Sequence, residues 1–200
     1  MKKPAGNKAP SRNPAGRPRS TDVDRAILDT ALLHARKHGY ASLTTDAIAA
    51  ESGVGKPSIY RRWSSKAEIV TEALVRQAEN DIPIPDSGSL KADLTTALQN
   101  VARQLRDIDG KIVRSLFAEA QLSDKYRPVF QAFIERRRRK VRDIVEAAVA
   151  REELEQGLDI DLVLDEIYGP ILNRMLVGNA EIDERFVRAH LRHLFSGLGL

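Results

Sequence analysis

Four cations, Lys56, Arg61, Arg62 and Lys66, lie close together with no acid from Gly55 to Lys66, and Thr45, Ser58 and Tyr60 add hydroxyl donors beside them. Such a set suits phosphate oxygens, and Lys56, Pro57 and Ser58, at a helix start, suit base edges. Thr44 joins the candidate contacts. The chain contains no Ser/His/Asp order, Walker loop or G-x-G-x-x-G run, so no enzyme is expected. His34 with His38, and His190 with His193, have spacings that two metal ligands on one helix could use. Neither pair has an acid or cysteine suitably spaced to complete a site, and no metal or cofactor is expected.

The run TTDAIAAESGVGKPSIYRRW at 44–63 supplies what must position these groups. Ala49, four residues before Gly53, leaves room for a second helix to cross the first, and Gly53 can take the positive φ that ends a helix and opens a turn. Ile48, Val54 and Ile59 form a small apolar wedge that sets the crossing, about 90 to 120° in such motifs. Thr44 is a candidate N-cap with Asp46 in the first turn, and Pro57 falls in the first turn of the next helix, where its missing N–H is harmless. Ser65 and Glu68 form a capping box that starts a third helix around Lys66. The reading is a helix-turn-helix whose second helix faces DNA.

At 22–74, the stretch GYASLTTDAIAAESGVGKPSIYRRW followed by SSKAEIV resembles the DNA-binding domain of the TetR family of bacterial transcriptional regulators. The Gly39-Tyr40 corner, Ile48-Ala49, Gly53-Val54, Ile59-Tyr60, Trp63 and Ser65-Lys66 fall at that family's spacing. Ala47 stands where many members carry an acid, and Thr45 where an apolar residue is common; both departures leave the basic face untouched. The resemblance implies a dimer built on the last two helices. The tail 159–197 looks, more loosely, like a C-terminal regulatory domain of such regulators.

The chain has 200 residues, a net charge of +4 and no cysteine. Disulfides and thiolate metal sites are therefore excluded, which suits a reducing cytoplasm. No apolar run approaches the roughly 18 residues of a membrane span, and the basic N-terminus is not followed by a secretory signal's apolar region. Residues 1–20 carry six cations, Arg17 and Arg19 among them, four prolines and no acid, which leaves a net −2 for the rest. This arm is expected to be disordered. Arg17 and Arg19 either reach along DNA or belong to a solubilising tail.

Helical periodicity throughout predicts an all-α fold. A first helix at 22–38 braces the helix-turn-helix, and another at 65–80 leads to DIPIPDSGS at 81–89, the best boundary in the chain. The division expected is a basic arm at 1–20, a three-helix DNA-binding domain with linking helix at 21–80, and a larger helical domain for effector binding and dimerisation at 81–200. That domain should hold helices at 90–107, 111–122, 125–151, 159–177 and 183–195, separated at Asp109-Gly110, Ser123-Asp124, Gly157 and Gly178-Asn179. The Arg136–Lys140 run spreads round its helix and reads as a solvated face paired with nearby acids, the alternative being a second nucleic-acid contact.

The last two helices carry apolar stripes, Leu164, Ile167, Ile171, Leu172, Met175 and Leu176 on one, and Phe186, Val187, His190, Leu191, Leu194 and Phe195 on the other. Two such helices per subunit can make a four-helix dimer interface, or face their own core. Gly169-Pro170 should kink or break the penultimate helix, as interface geometry or to admit an effector with Tyr168, Asn173 or Arg174 as polar handles.

The function expected is a sequence-specific transcriptional regulator, a dimeric repressor released from a palindromic double-stranded operator by a small molecule of unknown identity. The alternative is an architectural protein that coats DNA without sequence preference.

Overall fold

The computed structural model describes residues 20–81, 87–106 and 108–200. Among these are nine α-helices, one 3-10 turn and no strand, as the periodicity predicts. The arm at 1–19, with Arg17 and Arg19, and most of the boundary segment at 81–89 lie outside the described residues.

Helix α1, Ser20–His38, buries Ile27, Leu28, Ala31, Leu32 and Ala35. That stripe packs on α4, Lys66–Asp81, whose inward face is Ala67, Ile69, Val70, Ala73 and Leu74. Between them run the 3-10 turn Tyr40–Ser42, α2 at Thr45–Ser52 and α3 at Lys56–Tyr60. Each fully buried Ile or Leu contributes about 1.5 to 3 kcal/mol relative to exposure, so Ile48 and Ile59, both 0% exposed, hold these two short helices in place. Neither would be stable alone at such lengths.

The second part comprises α5 at Leu90–Arg106, α6 at Ile108–Leu122, α7 at Arg127–Ala150, α8 at Ile160–Val177 and α9 at Glu184–Gly197. Helix α5 packs on α6, α7 and α9, while α7 also lies against α4 and α8. Side chains close the helix starts: Asp159 accepts from the Leu162 N–H at 3.1 Å, Asp183 from Phe186 at 2.7 Å, and Glu153 from Leu90 at 2.9 Å.

Two expected breaks do not occur. Asp109 and Gly110 lie in the first turn of α6 rather than ahead of it, and a Cβ on Gly110 would stand 2.0 Å from the Leu105 carbonyl oxygen. Glycine is there because the end of α5 approaches too closely for any side chain. Helix α8, expected to kink or break at Gly169-Pro170, is not broken there, and both residues are exposed on its outer side. Among the described residues no helix is long and apolar enough to cross a membrane.

Candidate DNA-binding surface and effector cavity

Thr44 caps α2 by accepting the Ala47 N–H at 3.1 Å, and Gly53 ends it at φ 69. No heavy atom lies within 4 Å of a Cβ built on Gly53, so its left-handed backbone, not crowding, calls for glycine. Gly55 caps α3, with Pro57 in its first turn. Ser65 accepts from Glu68 N–H at 3.2 Å, while the Glu68 carboxylate returns to Ser64, taking its N–H at 2.7 Å and its hydroxyl. The expected capping box is thus displaced by one residue on its return arm. Trp63 is buried and donates its indole N–H to Glu72 at 2.6 Å, tying the end of the motif to α4.

The cations divide into two kinds. Arg61 is exposed, and Tyr60 beside it is 56% exposed. Lys56 is exposed and pairs with Asp46 of α2 at 2.7 Å, a bond that holds its ammonium above the usual lysine range. Ser58 and Thr45 are partly exposed. Arg62 and Lys66 are turned inward instead. Arg62 pairs with Asp24 of α1 and donates to the Ser58 carbonyl at 2.8 Å. Lys66 Nζ donates to the carbonyls of Leu43 at 3.0 Å, Tyr40 at 3.3 Å and Ala41 at 3.4 Å, and lies 4.7 Å from the Tyr40 ring centre. These two charges satisfy the protein's own acceptors rather than standing free for a phosphate clamp.

Behind this surface α6 grips the first part of the chain. Arg36 of α1 makes a two-pronged pair with Asp109, at 2.6 and 2.7 Å, and reaches Gln77 of α4 at 2.5 Å. Tyr40 donates its hydroxyl to Glu119, and burial followed by this carboxylate pushes its pKa far up. Thr71 of α4 shares a 2.7 Å hydrogen bond with Tyr126, whose hydroxyl burial pushes up to about 12.

Gln77 and Asp109 also line a cavity of about 190 Å³ between α4, α5, α6, α7 and α8. Its walls are mostly apolar, with Phe117, Phe130, Phe133, Ile171 and Met175 prominent. Arg137 enters it, donating to Gln104 at 2.7 Å with its guanidinium 5.6 Å from the Phe133 ring centre. Burial pushes that guanidinium below the usual arginine range. Tyr168 lines the same cavity, its hydroxyl 3.4 Å from the Arg137 carbonyl and raised by burial to about 12.

Of the three expected effector handles only Tyr168 is at this cavity. Asn173 is exposed, and Arg174 stacks over Phe186 at 3.8 Å while donating to the Glu181 carbonyl. Arg137, Gln104, Gln77 and Asp109 went unread as site residues. A signal for Arg137 existed: it continues the buried stripe Phe130, Phe133, Val141, Ile144 at helical spacing, within the charged run taken as solvated.

The apolar stripes of α8 and α9 face inward. Leu164, Ile167, Ile171, Met175, Val187, Leu191 and Leu194 are all buried within the chain itself, and Phe186, His190 and Phe195 are partly so. His190 donates to the Ile167 carbonyl at 2.9 Å and stacks on Phe186. The fully buried residues of these stripes belong to the subunit's core, while Phe186, His190 and Phe195 keep part of their surface exposed. What α8 exposes is Leu162, Leu176 and Val177, on its other side. His34 bonds Glu51 at 2.7 Å, and no cluster of three metal-binding side chains exists among the described residues.

Two family profiles match this architecture in order. "Bacterial regulatory proteins, tetR family" covers residues 27–73, and "Tetracyclin repressor-like, C-terminal domain" covers 84–194. The chain belongs to the TetR family. It is a DNA-binding transcriptional regulator and not an enzyme, and α2 with α3 is its helix-turn-helix. An uncharacterized HTH-type transcriptional regulator of Bacillus subtilis, YdeS, is 33% identical over 184 residues, 92% of this chain and 93% of the relative. The DNA-binding transcriptional repressor TetR of Mycobacteroides abscessus is 27% identical over 81% of this chain and 86% of its own. Among solved structures, the TetR family transcription regulator SCO0332 superposes with a TM-score of 0.81 at 24% identity, covering 88% of this chain and 98% of that one. The regulator FadR of Bacillus subtilis, solved with stearoyl-CoA, gives 0.63 at 19%, covering 86% and 98%.

Proposed function

We propose that this regulator is a homodimeric repressor that leaves a palindromic double-stranded operator when a small molecule enters the cavity lined by Gln77, Asp109, Arg137 and Tyr168. The observation that carries this is Arg36, a residue of the DNA-binding part whose partners include Asp109 and Gln77, both of them cavity wall. A ligand that displaces either partner changes how α1 is held against α6, and an effector acts only through such a difference between two states. Repression accords with the Mycobacteroides relative, described as a repressor, and ligand control with FadR, which holds stearoyl-CoA in the same fold.

In this reading Lys56, Pro57, Ser58 and Tyr60 meet base edges or nearby phosphates, Arg61 a phosphate, and Thr44 and Thr45 the backbone beside α2; Arg17 and Arg19 extend the contact from the arm. The division into arm, DNA-binding domain and effector domain at 1–20, 21–80 and 81–200 follows from this assignment. The dimer forms through the outer side of α8, where Leu162, Glu166, Gly169, Asn173 and Leu176 recur at the alternating four- and three-residue spacing of a helix-pairing seam, with α9 alongside. A two-fold pair presents its recognition helices to half-sites about 34 to 36 Å apart. The protein works on the chromosome, in the cytoplasm.

The test is selection from sheared host genomic DNA at about 150 mM salt, where specific binding persists and coating does not. Enrichment of few fragments sharing an inverted repeat is expected. Uniform recovery would overturn the operator reading in favour of the coating protein, which nothing in this fold otherwise recommends.

A further inference from the structure

We infer that the cavity takes a small monoanionic carboxylic acid, its carboxylate on the Arg137 guanidinium and its apolar body among Phe117, Phe130 and Met175. This deepens the effector reading above, and rests on it only for the consequence at DNA.

Charge accounting inside the cavity carries the argument. Among the described residues, the ionised side chains that line it are Asp109, Arg137 and Arg138. Asp109 is neutralised by Arg36 at 2.6 and 2.7 Å, and Arg138 by Asp165 at 2.6 Å with Asp161 nearby. Arg137 has no carboxylate partner among the described residues. Its side chain donates to one neutral acceptor, Gln104, and faces an aromatic ring, while the nearest hydroxyl, Tyr168, stays protonated at every physiological pH. A guanidinium has five N–H donors in a fork that fits a carboxylate with two parallel bonds. Placing such a charge against apolar walls with no carboxylate of the protein's own is unfavourable, and a bound carboxylate offsets that cost.

Size sets the rest of the ligand. A dry cavity of roughly 150 Å³ accepts benzene, so about 190 Å³ suits a body of about six to ten carbons and not a long acyl chain. A short fatty acid and an arylalkanoic acid share this chemistry. A cation is disfavoured by Arg137, and a neutral amide of equal length forms the weaker, uncharged hydrogen bond.

The experiment is isothermal calorimetry on the full-length protein, without DNA, with octanoate, 4-phenylbutyrate, octanamide and octylamine. We expect one of the two acids to bind at least about tenfold more tightly than octanamide, with octylamine weaker still. Whichever acid binds identifies the body as aliphatic or aromatic. Arg137→Met should erase the preference for acid over amide and, by removing an uncompensated charge, raise the melting temperature of the ligand-free protein. Equal binding of octanoate, 4-phenylbutyrate and octanamide to the wild type would overturn the proposal without any variant. So would an acid preference that survives Arg137→Met, or no binding by either acid. Release of a selected operator fragment is read separately: an acid that binds but leaves DNA occupancy unchanged upholds the site and overturns the effector reading.

Discussion

The difference between Arg61 and Lys66 lies in who holds their charge. Arg61 is exposed, whereas Lys66 spends its donors on the carbonyls of Tyr40, Ala41 and Leu43. Arg61→Ala is therefore expected to weaken binding to every DNA sequence and to flatten the salt dependence by about one unit, measured by fluorescence anisotropy from 50 to 300 mM salt or thereabouts. Lys66→Ala should instead leave the salt slope unchanged and lower stability by about 1 to 2 kcal/mol, read by urea unfolding, because a partly buried turn loses its donor. A slope change for Lys66→Ala equal to that for Arg61→Ala would return Lys66 to the phosphate clamp. Both lysine and arginine here look alike in sequence, since the carbonyls that Lys66 serves lie more than twenty residues upstream and carry no side-chain signature. Arg62 was obscured in the same way by Asp24.

Among the elements, α6 does most to join the two parts of the molecule, and its first turn depends on a single missing methyl. Adding that methyl with Gly110→Ala puts a carbon 2.0 Å from the backbone oxygen of Leu105, an atom that no rotamer change can move. The expected loss is about 1 to 3 kcal/mol, seen as a lower urea midpoint, with the ligand cavity widened or displaced because Asp109 is the neighbouring residue. Unchanged stability would mean that α5 and α6 do not approach as closely as described. Helix α8 teaches a related lesson about faces. Its sequence offers apolar residues on two sides, and the longer stripe, Leu164 to Met175, went inward. Leu176→Glu, at a side chain 41% exposed on the outer face of α8, should convert the proposed dimer to a folded monomer in light scattering while keeping helical content. A dimer that survives it would move the interface off this face.

For the molecule as a whole the question is how occupancy of a cavity reaches a surface built from other helices. Arg36 bonds Asp109 and Gln77 of the cavity wall, and Asp109→Asn keeps the shape while removing the charge that Arg36 holds. Ligand affinity in the absence of DNA is measured alongside, because Asp109 is itself cavity wall. The ratio of operator affinities with and without ligand should shrink about fivefold or more, the coupling free energy being typically about 1 to 3 kcal/mol. An unaltered ratio would show that coupling runs elsewhere, for instance through Tyr40 and Glu119.

Local chemistry was legible in the sequence. The helix starts at Thr44, Asp159 and Asp183, the left-handed turn at Gly53, the all-helical fold and the family signature at 39–66 all depend on residues within a few positions of one another. So do most helix bounds, although at Gly110 the deciding contact, with the Leu105 carbonyl, arises only from how the end of α5 turns against α6. Tertiary structure alone decided which cations are spent internally, which side of α8 meets the core, and that Arg137 enters a cavity with Gln77, Gln104 and Tyr168 from three other helices. A hydrophobic stripe reports that a face must leave water, not what covers it, and a charge reports its own sign, not its counter-ion. Both are settled only when segments remote in sequence pack together.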